Sequence, residues 1–386
     1  MKVYMDYAAT TPLDPRVLEV MKPYFYKVFG NTMSLHSSGR EAKKALEDSR
    51  EAVARFMNAK PEEVIFTGSA TESDNFALKG IAFANKENGK HIITSAIEHH
   101  AILESCKWLE KQGFEITYLH VDKYGLVDLE SLKNSIRKDT ILVSIMHANN
   151  EIGTIEPIEE IGKICRENGV YFHTDAVQTF GKIPIDVKKM NIDLLSISAH
   201  KFYGPKGVGS LYVREGVDIE PLLHGGGHEC GLRSSTVNVP GIVGMAEAVR
   251  LRKKEMNSEA KELTKLRDLL IKNVLKIENS NLNGHQVKRL PNNANFWFAF
   301  IEGEALITQL DMHGIEASTG SACSSESLEP SHVLLAIGLK HQEAHGSLRL
   351  SLGRQSTKAE VNYVSKTLPK VVTNLRKISP FKGKWD

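Results

Sequence analysis

The sequence predicts an α/β fold: a large domain on a mostly parallel sheet held between helices, followed by a smaller α+β domain. Two observations predict it. Between about residues 60 and 215, seven short β-rich apolar runs alternate with helical patterns, as βαβ units do when they lay down a parallel sheet. The runs are nearly continuous in apolar residues, as expected of strands covered by helices on both faces. With 386 residues, 41% of them hydrophobic and 25% charged, the chain has ample material for a large buried core and no sign of disorder.

The seven runs are EEVIFTG, KHIITSAIEH, EITYLHV, TILVSIMHAN, VYFHTDAV, DLLSISAH and GVGSLYVR. Before them, SSGREAKKALEDSREAVARFM sets Ala45/Leu46, Ser49, Ala52/Val53 and Phe56/Met57 on one helical face. IEEIGKICREN does the same with Ile158, Ile161 and Cys165, so Cys165 reads as packing. A Lys/Glu/Leu-rich helical stretch from about 241 to 277, interrupted near Asn257 and Ser258, reads as a connection between domains. Beyond 285, NANFWFAF, GIEASTGSAC and GSLRLSLG stand among helical segments and predict the smaller domain.

Balanced charge, 49 Lys+Arg against 47 Asp+Glu, makes no electrostatic case for a nucleic-acid partner. Asp6 precedes any apolar run, and no window approaches the roughly 20 apolar residues of a membrane span, so the expectation is a cytoplasmic protein with no membrane partner. The four cysteines, Cys106, Cys165, Cys230 and Cys323, stand far apart and signal neither a metal site nor a disulfide framework.

Ligands of open α/β sheets bind beyond the carboxyl ends of the strands, so polar residues there carry the most weight. VYFHTDAVQ ends in Asp175, a carboxylate whose burial calls for a cationic partner. LLSISAHK ends in Ser198, His200 and Lys201, a lysine beside hydroxyl and imidazole donors that suggests a Schiff-base lysine with a phosphate nearby. The turn TGSATESDN opens a helix, where the backbone N–H groups of Gly68 to Thr71 form a cup for an anion. His99 supplies a ring to stack on an aromatic cofactor, and Asn150 and Gln178 supply hydrogen bonds at two further strand ends. Together these residues describe pyridoxal 5'-phosphate as the ligand.

Lys206, the other lysine of SAHKFYGPKGVG, lies in a Gly/Pro turn and reads as solvated. YGPKGVG lacks the spacing of a nucleotide-binding loop. A second chemical signal is STGSACSSES, where Cys323 sits among small hydroxylated residues, as on a mobile loop with an accessible thiol. Nearby in sequence, Arg349 of SLRLSLGR stands among apolar residues and suits a bidentate clamp on a substrate carboxylate. Cys106 reads as helix packing. The loop HGGGHECGLRSST leaves Cys230 open between an incidental and a functional reading, since its glycines and Arg233 suit an approach to phosphate.

These motifs, with YMDYAATTP, FGNTMSLHSSGR, EHHAIL, HANNEIGT, HTDAVQTFGK and RSSTVNVPGIVG, resemble the NifS/IscS-like cysteine desulfurases, members of the fold-type I enzymes that use pyridoxal phosphate. The resemblance runs through nearly the whole chain. It implies a large cofactor-binding domain over residues 13–258 with a seven-stranded sheet, a small domain over 259–386 joined by residues 1–12, and a homodimer with active sites at the interface. It implies Lys201 as the Schiff-base lysine, Asp175 as partner of the pyridinium nitrogen, His99 as the stacking ring and Gln178 as donor to the phenolic oxygen. Ala70, Thr71, Ser198 and His200 would hold the phosphate, with Thr236 reaching in from the other subunit. Asn150 and Arg349 would bind the carboxylate of L-cysteine, and Cys323 would take its sulfur as a persulfide, leaving L-alanine. An iron–sulfur scaffold or another sulfur-acceptor protein would be the partner. The alternative within the fold is a selenocysteine lyase or another lyase or aminotransferase that does not need Cys323.

Overall fold

The structure, a computed structural model, describes residues 1–320 and 330–380. Strand β1 (Val3–Tyr4) opens the chain but joins the second of its two main cores. The large sheet is built from β2 (Val64–Thr67), β3 (His91–Ser95), β4 (Glu115–Leu119), β5 (Thr140–Ser144), β6 (Tyr171–Asp175), β7 (Leu194–Ser198) and β8 (Gly209–Val213). Each of the seven apolar runs supplies one strand.

Their spatial order is β2-β8-β7-β6-β5-β3-β4, and β8 alone runs against the rest. Every residue of β2, β3, β5, β7 and β8 is buried, because helices cover both faces. Only β4, at the open edge, exposes a residue, Glu115. The two faces carry separate apolar layers, one around Val143, Phe172 and Leu195, the other around Ile92, Leu142 and Leu211. Gly209 starts β8 because nothing larger fits: a Cβ there would lie 2.7 Å from the Ile197 carbonyl oxygen and 2.8 Å from the Ser69 carbonyl carbon. That close approach seats the helix Ala70–Ala84 over the sheet's carboxyl edge.

The second core surrounds a three-stranded antiparallel sheet, ordered β12-β10-β9, of β9 (Ser280–Asn283), β10 (Asn293–Phe298) and, later in the chain, β12 (Ser347–Ser351). The short β11 (Ile315–Glu316) pairs in parallel with β1, so Val3 and Met5 are buried with Phe296, Leu350 and Val364.

The helix linking the cores is uninterrupted. It runs Val239–Val274, 36 residues, through Asn257 and Ser258, where the sequence suggested a break. Weak helix formers are tolerated where tertiary contacts hold the segment. Here Arg252, 1% exposed at its side chain, bonds Glu255 at 2.7 Å and Glu259 at 2.5 Å on either side of that point. Its guanidinium lies 5.0 Å from the Tyr203 ring centroid, and the Arg354 guanidinium lies 4.5 Å away. Met245 and Leu251 of this helix belong to the first core and Leu263 and Leu270 to the second. The polar stretch between them is the crossing from one core to the other, not a helix end.

Candidate active site

The carboxyl ends of β2, β3, β5, β6 and β7 open on one edge, and the N-terminal segment passes along it. Lys201, in the turn after β7, donates from Nζ to the carbonyls of Ala8 and Ala9, each at 2.8 Å. The same segment is tied to its neighbour His200: Thr11 N and Oγ1 donate to the His200 carbonyl at 3.0 and 2.9 Å, and Thr10 Oγ1 lies 3.0 Å from His200 Nδ1. Burial, then the charges of Lys201, Lys206 and Lys182, push the His200 ring down to about 4, so it is neutral at pH 7. Lys206 is itself exposed, as its turn predicts.

Asp175, the last residue of β6, is 6% exposed. Its Oδ1 accepts from Val177 N at 2.9 Å, and burial pushes its carboxyl up to about 6 while Lys201 pulls it back. Beneath it a polar rung crosses three strands, with His173 Nδ1 2.9 Å from Ser144 Oγ and Nε2 3.0 Å from Ser196 Oγ. Gln178, three residues on, donates from Nε2 to the Ala8 carbonyl at 3.0 Å.

His99 caps the helix His100–Glu110, its Nδ1 accepting from Ala101 N at 3.1 Å. Burial first and the Lys201 charge second lower its pKa to about 4. The ring is therefore neutral with its proton on Nε2.

The cup after β2 is narrower than the sequence suggests. Gly68 N donates to Glu72 Oε2 at 2.7 Å, and Ser69 spends its hydroxyl on capping Glu72 N at 3.2 Å. Arg233, expected near phosphate, instead bonds Glu72 Oε1 at 2.7 Å. The N–H groups of Ala70 and Thr71, in the first turn of a 15-residue helix, remain for an anion. The buried hydroxyl-bearing Ser198 stands at the end of β7, beside the start of β8.

Arg349, on β12, comes from the other core and is 3% exposed. Its Nη1 donates to the Asn150 carbonyl at 3.0 Å and its Nη2 to Asp6 Oδ1 at 2.8 Å. Thr236 is exposed on the loop before the long helix and, among the described residues, makes no hydrogen bond to another candidate. Cys323 lies outside the described residues. Cys106 and Cys165 are buried, as packing predicts, and Cys230 is exposed with φ of +60°. Among the described residues no cluster of His, Cys, Asp and Glu suits a metal ion, and no helix is long and apolar enough to cross a membrane.

Four participants were not foreseen. Lys182 donates to the Gln178 carbonyl at 3.0 Å, and burial pushes its amine down to about 7. Ala8 and Ala9 act through backbone carbonyls, which carry no side-chain signal. Asp6 lies within the YMDYAATTP motif, but its partner Arg349 is 343 positions away.

The arrangement fits pyridoxal phosphate. Asp175 is a buried carboxylate whose second oxygen takes no hydrogen bond among the described residues, and a protonated ring nitrogen is the partner such a group lacks. A neutral ring, a lysine and free helix N–H groups stand along the same edge.

A class-V aminotransferase family model matches residues 3–364. The chain is 57% identical to cysteine desulfurase IscS of Dictyoglomus turgidum over 385 residues, covering 100% of this chain and 98% of that one. It is 51% identical to the mitochondrial cysteine desulfurase of Saccharomyces cerevisiae, covering 98% of this chain and 76% of the yeast protein. A solved NifS-like protein superposes with a TM-score of 0.92 at 42% identity, covering 97% of this chain and 100% of that one. A structure described as SspA in complex with cysteine gives 0.82 at 40% identity, covering 91% and 99%. The chain belongs to the class-V aminotransferase family of pyridoxal-phosphate enzymes, and within it to the IscS/NifS-like cysteine desulfurases.

Proposed function

We propose that this protein converts L-cysteine to L-alanine, with Cys323 taking the sulfur as a persulfide for delivery to an acceptor in iron–sulfur or thio-cofactor synthesis. The observation that carries the reading is that one N-terminal segment is bonded by Lys201, at the Ala8 and Ala9 carbonyls, and by Arg349 of the second core, at Asp6, while the Lys201 charge reaches Asp175, in a chain alike end to end with named cysteine desulfurases. Bound pyridoxal phosphate supplies an electron sink that makes the substrate's Cα–H acidic.

Asp175 would keep the ring nitrogen protonated, and Gln178 would donate to the phenolic oxygen. His99 would lie against the ring, and the N–H groups of Ala70 and Thr71 with Ser198 and His200 would hold the phosphate. Arg349 and Asn150 would orient the substrate carboxylate, and Lys201 would carry the Cα proton. The Cys323 thiolate would then attack the substrate sulfur, so that an S–S bond forms as the C–S bond breaks, giving alanine and a Cys323 persulfide.

The single chain has an exposed apolar run that supports a homodimer. Phe25, Tyr26, Phe29, Met33 and Leu35 are all at least 60% exposed. Tyr24 and Val28, in the same segment, pack against the cluster of Ala42, Val239 and Val243, as does Val237, which adjoins Thr236. A partner on this face would bring each Thr236 toward the opposite site. The two cores support residues 13–258 and 259–386, the latter with 1–12, as the working units, and a cytoplasmic setting fits an acceptor protein there.

The test is the product ratio from L-cysteine with a thiol reductant. Alanine and sulfide in equal amounts support the reading. Turnover of selenocysteine without turnover of cysteine would replace it by the lyase.

A further inference from the structure

Two of the protein's arginine–carboxylate pairs differ in a telling way. Arg50 grips Glu229 through two bonds, Nη1 and Nη2 each at 2.8 Å, with side chains 6% and 3% exposed. Arg349 meets Asp6 through one bond, Nη2 to Oδ1 at 2.8 Å, and the Asp6 side chain is 20% exposed. Arg349 Nε is buried and takes no acceptor among the described residues. The first pair is closed. The second is a guanidinium with a buried donor still unpaired, held by a carboxylate that water reaches.

Asp6 sits on a segment built to stay in place. Met5 N donates to the Glu316 carbonyl and Ser351 N to the Met5 carbonyl, both at 2.8 Å, while Tyr4 Oη donates to the Asp6 carbonyl at 3.0 Å. The backbone is thus pinned on both sides of Asp6, and its side chain alone is free to exchange partners.

We propose that Asp6 is a specificity-determining residue, an internal carboxylate that occupies Arg349 until the carboxylate of the amino acid substrate takes its place. The proposal rests on the reading of Arg349 as the substrate-carboxylate residue. Binding then exchanges one charge-assisted pair for another instead of filling a vacant cation, and the net affinity for the amino acid is correspondingly reduced. An uncharged residue at this position competes less well for the guanidinium and removes a like charge facing the substrate.

The experiment titrates the holoenzyme with L-alanine, which has the carboxylate but no sulfur to lose, and with cysteamine, which has the thiol and amine but no carboxylate, following the absorbance of the bound cofactor. Equal cofactor content and thermal midpoint are checked first. Asp6→Asn should tighten L-alanine by about fivefold or more and leave cysteamine unchanged, with KM for L-cysteine falling more than kcat changes. Unchanged or weakened L-alanine binding, or equal tightening of both ligands, overturns the proposal. Arg349→Gln separates the two levels: it must weaken L-alanine selectively, and if it does not, the underlying assignment of Arg349 fails rather than the exchange.

Discussion

Lys201 Nζ and Gln178 Nε2 converge on a single acceptor, the carbonyl of Ala8, at 2.8 and 3.0 Å. A backbone carbonyl of the N-terminal segment thereby sets the position of the lysine that the reaction needs. Lys201→Ala should lower alanine formation by about a thousandfold or more, the scale of a lost proton carrier. Circular dichroism and the thermal midpoint should show an intact fold, because the Ala8 carbonyl keeps its bond from Gln178 and the half-buried Ala9 carbonyl finds water. Activity surviving in the variant removes Lys201 from its assigned role.

Asp175 predicts how cofactor binding depends on pH. Its carboxyl is pushed up to about 6 by burial, so it is ionised above that pH and neutral below it. Only the ionised form attracts a protonated ring nitrogen. The affinity of the apoprotein for pyridoxal phosphate, relative to that of Asp175→Asn, should therefore rise as pH passes upward through about 6. At pH 8 the variant should bind roughly tenfold to a hundredfold more weakly. A ratio that stays flat from pH 5 to 8 contradicts the pairing.

The pair of Arg50 and Glu229 is structural. Glu229 also accepts from Phe66 N at 2.8 Å, so the loop bearing Cys230 is anchored to β2. Arg50→Met should destabilise the fold by about 3–5 kcal/mol, because it leaves a buried carboxylate without its cation. Denaturant unfolding measures this. The double change Arg50→Met with Glu229→Leu should recover part of the loss, and a double variant no better than the single would show that the charge is not the cause.

Much of the site was legible because strand ends are legible. Asp175, Ser198, His200 and Lys201 follow apolar runs that became β6 and β7, and position along a strand decides which edge a residue reaches. What stayed hidden depends on contacts far apart in sequence or on atoms without a side-chain signal. The carbonyls of Ala8 and Ala9 are chemically those of any residue. Glu72 reads as a first-turn helix residue, yet it takes the N–H of Gly68 and the guanidinium of Arg233, which removes both from the phosphate cup. Strand β9 is mostly polar, Ser280–Asn283, and has no apolar pattern to reveal it. The helix through Asn257 and Ser258 continues because Arg252 pairs with Glu255 and Glu259, while its burial against Tyr203 is visible only in the fold.

Glu98 predicts an effect of pH on stability. Burial pushes its carboxyl up to about 8, while Oε1 accepts from Ser95 Oγ at 2.6 Å and Met146 N at 2.9 Å. Below the unfolded value, near 4.5, both states hold the proton and nothing is lost. From there to about 8 the folded protein keeps a proton that the unfolded chain releases, so stability falls as pH rises, and the loss is complete above about 8. Glu98→Gln keeps the accepting oxygen and removes the titration. Its thermal midpoint should fall roughly 5 °C less between pH 6 and 9 than that of the unaltered protein. An identical fall in both proteins would assign the pH dependence to other groups, of which the similarly buried Glu156 is the next to test.

The most direct test of the central claim is L-alanine release from L-cysteine by the unaltered protein and by Cys323→Ala, with a thiol reductant present and cofactor content matched. The account predicts alanine from the first and a loss of about a hundredfold or more in the second, because the thiolate that accepts sulfur is gone. Equal alanine from both would show that Cys323 is not the sulfur acceptor and that the protein is a lyase of the same fold.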